Sequence, residues 1–112
     1  MKIKQNPQGE VMVLELSGKI MGGSDNEKFR AEIHGILDEG FRKVVLDFSG
    51  VPWINSTGLG ILISGFHSIK AAEGNMKICS VKERVLSIFY ISQLENIFEV
   101  FTTREEALAS FD

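Results

Sequence analysis

The sequence predicts an α/β fold, a mixed sheet of about five strands covered by about four helices. Three observations point there. Segments in which apolar residues alternate take turns with segments in which they recur at spacings of three and four. Val44-Val45-Leu46 is an unbroken apolar run, as expected of a strand covered on both faces. After an opening pair of strands, each strand pattern is followed by a helix pattern, which argues for parallel strand pairs with covering helices. A length of 112 residues fits one domain, residues 1–112, with one modest core.

Taken in order, residues 1–6 form a short first strand ended by Asn6-Pro7, with Gly9 in the turn. Val11 to Leu16 is a second strand; Val11, Val13 and Glu15 share one face, and Met12, Leu14 and Leu16 the other. Gly18 to Ser24 is a glycine-rich loop, after which Ser24 or Asp25 caps a helix. Phe29, Ile33, Ile36 and Leu37 are its apolar stripe, and Gly40 ends it. Lys43 to Asp47 is the central strand. A helix from Thr57 to about Glu73 turns Leu59, Leu62, Ile63, Phe66 and Ile69 inward. Its opposite face carries Gly60, Ser64, His67, Ser68 and Ala71, mostly small or weakly polar. Gly74-Asn75 is a turn and Met76 to Cys79 a strand. Glu83 to Tyr90 reads as a helix with Val85, Leu86 and Phe89 inward, and Ile97 to Phe101 as a last strand. Thr102 or Thr103 caps a terminal helix packed down by Ala107, Leu108 and Phe111.

Composition narrows the function. With 12 Lys+Arg against 15 Asp+Glu the net charge is -3, and no basic cluster marks a nucleic-acid surface. The lone Cys79 leaves no internal disulfide, agrees with a cytoplasmic setting, and reads as a small buried hydrophobe. The start, Met1-Lys2-Ile3-Lys4-Gln5, turns polar at once, and the apolar stretch from Leu59 to Phe66 is too short to span a bilayer, so no membrane insertion is expected. His34 and His67 lack ligand-spaced neighbours and read as solvated helix residues, so no metal site is expected. Enzyme readings find little: Ser56 lies outside a Gly-x-Ser-x-Gly elbow and no His is placed as its base. Gly58-x-Gly60 lacks the rest of a dinucleotide fingerprint and no Walker lysine follows. No catalytic residues and no cofactor are assigned.

The junction from Asp47 to Gly60, Asp-Phe-Ser-Gly-Val-Pro-Trp-Ile-Asn-Ser-Thr-Gly-Leu-Gly, is the informative stretch. A strand ends there, a short loop follows, and a helix opens with Ser56 and Thr57 side by side. Backbone N–H groups at a helix start have no partner within the helix and carry a partial positive field. The place suits a helix cap, and equally an anionic phosphate. Gly58 and Gly60 weaken a helix by about 1 kcal/mol each relative to Ala, so either close packing or room for a partner's backbone should compensate. Asn55 shapes the loop. Asp47 is a turn former or a partner contact, and Trp53 a packed residue at the loop base or an interface residue.

From Asp47-Phe48-Ser49 to Asn55-Ser56-Thr57-Gly58-Leu59-Gly60, the chain resembles the STAS domain of bacterial anti-sigma factor antagonists. The likeness extends over nearly the whole chain, through Leu16 to Ile20, Gly74-Asn75 and Leu94 to Phe98. Asn55 stands where that family usually has Asp; it keeps the hydrogen-bonding shape and loses the charge. The resemblance implies a phosphorylation-switched binding module that sequesters an anti-sigma factor serine kinase while Ser56 is unphosphorylated. A PP2C-type phosphatase would reset it, and transcription would be regulated indirectly. Ser56 is the implied phosphoserine, with Thr57 second to it. Ser24, Asn55, Ser56, Thr57, Gly58, Gly60 and Ser64 are the implied partner contacts, and a weak homodimer is a further association the reading allows. The competing reading is a STAS scaffold subunit of a lipid-transport or signalling assembly without kinase control.

Overall fold

The computed structural model describes residues 1–111; Asp112, the last residue of the expected domain, lies outside the described residues. Among the described residues are five strands: β1 (Lys2–Gln8), β2 (Val11–Ser17), β3 (Lys43–Gly50), β4 (Asn75–Cys79) and β5 (Val100–Phe101). Four α-helices accompany them: α1 (Ser24–Asp38), α2 (Ser56–Ala71), α3 (Glu83–Ile91) and α4 (Arg104–Ala109). The sheet runs in chain order, β1-β2-β3-β4-β5. β1 is antiparallel to β2, and every later pair is parallel. This is the mixed five-stranded sheet with four helices that the periodicities predict.

The strands divide the core by their two-residue period. Met12, Leu14, Val44, Leu46, Phe48 and Ile78 pack with the buried stripes of α1, α2 and α3. Val11, Val13, Val45 and Cys79 point the other way and are closed off by Ala107 of α4. β3 lies in the middle, and its Val44, Val45, Leu46 and Phe48 are fully buried, which accounts for the unbroken apolar run. Burial pushes the Cys79 thiol up to about 11, so it stays a neutral, inert side chain.

Several local expectations need correction. β1 continues through Asn6-Pro7, with Pro7 opposite Met12; β1 is an edge strand, where a missing N–H is tolerated. Neither Ser24 nor Asp25 caps α1. The cap position is Gly23, with no side-chain cap bond, because both residues already lie inside the helix. α2 begins at Ser56 and ends at Ala71; of the expected stripe it buries Leu59, Leu62 and Ile69 and leaves Ile63 and Phe66 half-buried, and it buries Ile61 and Gly65 as well, Gly65 closely against Phe29 of α1. Leu86 is exposed; Val85 and Phe89, one turn apart, are buried from α3, and Ile88 packs half-buried beside them. The last strand shrinks to Val100–Phe101 because Leu94–Asn96 form a 3₁₀ turn. Thr103 is the cap of α4, accepting the Glu106 N–H at 3.2 Å.

Helix α4 is short, and charge ties it to the sheet. Arg104 Nη2 lies 2.6 Å from Asp47 Oδ2 and 2.9 Å from Glu15 Oε2. Asp47 also accepts the Ser49 N–H at 2.9 Å, so it is a structural residue of the strand end. At the other end of α4, the buried Lys77 donates to Ser110 Oγ at 2.8 Å and pairs with Glu99 at 3.2 Å. Burial by itself would raise the Asp47 pKa, but the Ser49 N–H and Arg104 outweigh it and hold the carboxyl below its usual range. Asn6 and then Arg104 lower Glu15 likewise.

A stability consequence follows from the lowered values. The unfolded chain binds protons on these carboxylates more readily than the folded chain, so stability rises with pH across the carboxylate range. The contribution is complete above about pH 5 and is lost as the pH falls through the lowered folded values. Arg104→Met should cost about 2–3 kcal/mol at pH 7 and flatten that acid dependence, as read by urea unfolding from pH 3 to 7. An Arg104→Met chain with unchanged stability and acid dependence would show that the ion pairs do not anchor α4.

Candidate functional site

Parallel pairing of β2 with β3 assembles the site. Both strands end at the same edge of the sheet, so the loop from Gly18 to Gly23 and the loop from Val51 to Asn55 emerge together. They are then joined. The Ile20 N–H donates to the Trp53 carbonyl at 3.1 Å, and the Asn55 N–H donates to the Ile20 carbonyl at 3.3 Å. Ile20 is fully buried, so the one large aliphatic residue between Gly18 and Gly22 plugs the glycine-rich loop onto its neighbour.

Helix α2 starts on this platform. Asn55 is its cap, and Asn55 Oδ1 accepts the Gly58 N–H at 2.8 Å. Ser56 is therefore the first helical residue rather than the cap, and it is exposed. Gly58 is buried, and a Cβ there would press into the Ile20 carbonyl. The close-packing reading thus accounts for Gly58. Gly60 differs: it is exposed, and a Cβ would meet nothing within 4 Å. Gly22 has φ +103°, a left-handed conformation, and a Cβ on it would come 2.6 Å from Thr57 Cγ2. Only glycine allows the loop this turn against Thr57.

The sequence-selected residues are brought together in part. Thr57, Gly60 and Ser64 line one shallow groove with Asn26 and Arg30 of α1. Ser56 sits at the helix start beside it, and Ser24 is exposed at the start of α1. Asn55 is half-buried, with its side chain engaged in the fold. His34 and His67 are exposed, and among the described residues no cluster of His, Cys, Asp and Glu could hold a metal ion. Sequence reasoning missed Arg30, Met21 and Arg84. Arg84 of α3 lies over the Trp53 ring at 5.3 Å and steadies the half-buried loop base. Met21 is 46% exposed although it directly follows the fully buried Ile20. Only Ile20, an isolated aliphatic among glycines, left a readable signal.

Comparison with known proteins places this arrangement. The STAS domain family model matches residues 2–107. The chain belongs to the STAS domain family. BtrV of Bordetella bronchiseptica, a proposed anti-sigma factor antagonist, is 30% identical over 111 residues, covering 99% of this chain and 95% of BtrV. In the crystal structure of a proposed anti-sigma factor antagonist from Thermotoga maritima, the fold superposes with a TM-score of 0.84 at 23% identity, covering 96% of this chain and 92% of that one. The phosphorylated form of the Bacillus cell-fate determinant SpoIIAA gives a TM-score of 0.74 at 19% identity, with 99% and 100% covered. At these identities the solved structures establish the STAS fold. Among the described residues, no helix is long and apolar enough to cross a membrane.

Gly58 and Gly60 in the first turns of α2 should respond with opposite signs to the same substitution. Gly58→Ala should lose about 1–3 kcal/mol through overpacking on the Ile20 carbonyl. Gly60→Ala should gain up to about 1 kcal/mol of helix propensity. Thermal unfolding of the two variants checks this; equal responses would mean that α2 does not seat on Ile20 as described.

Proposed function

We propose that this STAS domain is an anti-sigma factor antagonist, a binding module switched by phosphorylation of Ser56. The observation that carries the reading is the division of labour at the start of α2. Asn55 supplies the cap, so the Ser56 hydroxyl is exposed at a helix N-terminus and is not needed to hold the fold. The name of BtrV, alike over almost its full length, supports the same role. Ser56, Thr57, Gly60 and Ser64, with Ser24 nearby, would meet an anti-sigma factor serine kinase, and Asn55 and Gly58 would shape that surface from beneath. A PP2C-type phosphatase would reverse the modification.

The physics of the switch is local. A phosphate adds about −1.5 to −2 charges and three acceptor oxygens. At the positive end of α2 it is tolerated within the fold. In a docked interface it must be desolvated beside partner groups, and acidic ones repel it. Binding is lost while the structure stays.

Intact mass with phosphosite mapping on the chain isolated from its own cells tests the modification. A population heavier by one phosphate at Ser56 is expected; a single unmodified mass under all growth conditions would favour the scaffold reading. Ser56→Asp should weaken binding to a purified anti-sigma factor kinase at least tenfold and keep the far-ultraviolet circular dichroism of the parent. A Ser56→Asp chain that binds normally, or that unfolds, would contradict the switch.

A further inference from the structure

The side-chain amide of Asn55 makes a second bond that capping does not require. Its Nδ2 donates to the Met21 carbonyl at 3.0 Å, across a sequence separation of 34 residues. The orientation of the amide is fixed from both sides. The Gly58 N–H needs an oxygen, and the Met21 carbonyl needs a donor, so a flipped amide would place like against like at each end. Met21 is held on its other side too, since its N–H donates to Asp25 Oδ2 at 3.3 Å. Both backbone groups of one loop residue are thereby secured, one by α1 and one by the residue before Ser56. The Met21 side chain projects into solvent from this fixed point, one of few large apolar side chains left exposed.

We propose that Asn55 is the positioning residue of the docking surface: its amide clips the Met21 carbonyl and so holds the loop from Gly18 to Gly23, with Met21 outward, in register with the Ser56 hydroxyl. The docking role rests on the function proposed above, whereas the clip is a property of the isolated chain. A carboxylate at this position could not do the same. Aspartate caps a helix as well as asparagine and adds a charge favourable at a helix start, but it has no proton to donate. Its second oxygen would face the Met21 carbonyl oxygen and release the Met21 end of the loop, while the backbone bonds of buried Ile20 remain. Asparagine at this position therefore fixes Met21 against the start of α2, and aspartate leaves Met21 free while Ile20 stays joined.

Capping alone and clipping predict different results for Asn55→Asp. If Asn55 only caps, Asn55→Asp keeps or raises stability and leaves the loop unchanged. If it clips, amide hydrogen exchange on the full chain should show the Met21, Asp25 and Asn26 N–H groups exchanging about fivefold faster or more, while the capped Gly58 N–H stays within about twofold of the parent. Asn55→Ser, which retains a capping oxygen without charge or reach, should free the loop in the same way and guards against a charge artefact. Loop protection unchanged in both variants, or Gly58 loosening as much as the loop, overturns the clip. With a purified anti-sigma factor kinase that binds the parent chain, both variants should bind about tenfold more weakly; normal binding by a chain with a freed loop overturns the positioning role. If no such kinase binds the parent chain, the docking role falls with the proposed function and the exchange result stands alone, which separates the two failures.

Discussion

Because β2 and β3 run parallel as neighbours, the loops that leave them must emerge side by side, and everything at the start of α2 depends on how those loops join. The junction is the Ile20 carbonyl. It accepts the Asn55 N–H, and it forms the surface on which buried Gly58 seats the helix. A side chain at position 58 would lift α2 away from that surface, and with it the direction in which Ser56 and Thr57 point. The glycine weakens the helix as a helix and strengthens it as a packed element. Gly22 meets Thr57 under a similar constraint from the other loop. Two loops and one helix start thus behave as a single piece of surface.

On that piece of surface, the structural duty falls on Asn55 and the proposed signalling duty on its neighbour Ser56. Asn55 satisfies an N–H that would otherwise lack a partner, so the fold makes no demand on the next hydroxyl. A serine that also capped the helix could not be modified without disturbing it. Separation of the two roles allows a large change of charge at Ser56 with little change of backbone. The face of the sheet opposite α1 and α2 is held by different means: Arg104 of α4 pairs with Asp47 and Glu15, and Lys77 of β4 pairs with Glu99.

Much of the fold was legible because periodicity reports on one element at a time. The Val44 to Leu46 run, the Phe29-Ile33-Ile36 stripe and the Thr103 cap all appear where the sequence pattern puts them. Long-range pairing was not legible. Arg104 meets Asp47 and Glu15 across 57 and 89 residues, and no local pattern ties an arginine near the end of the chain to those carboxylates. The sequence also left Gly58 and Gly60 equivalent, whereas one is buried on a carbonyl and the other faces open space. Leu86 was misplaced because α3 carries apolar residues on more than one side, and the inward stripe is Val85 and Phe89 with Ile88 beside them. At the candidate site the motif located Ser56, but the second bond of Asn55 depends on where the Met21 carbonyl comes to lie, which only the joined loops determine.

A phosphate at Ser56 should change what the surface presents and leave the fold in place. The most direct measurement is a comparison of backbone amide resonances for the chain with serine and with phosphoserine installed at position 56. Shifts should be confined to the loops from Gly18 to Gly23 and Val51 to Asn55 and to the first turns of α1 and α2, with the sheet resonances unmoved. Shifts spread through β3, β4 and the α4 anchor, or loss of the α2 resonances, would contradict it, because the phosphate would then act by unfolding rather than by altering one surface.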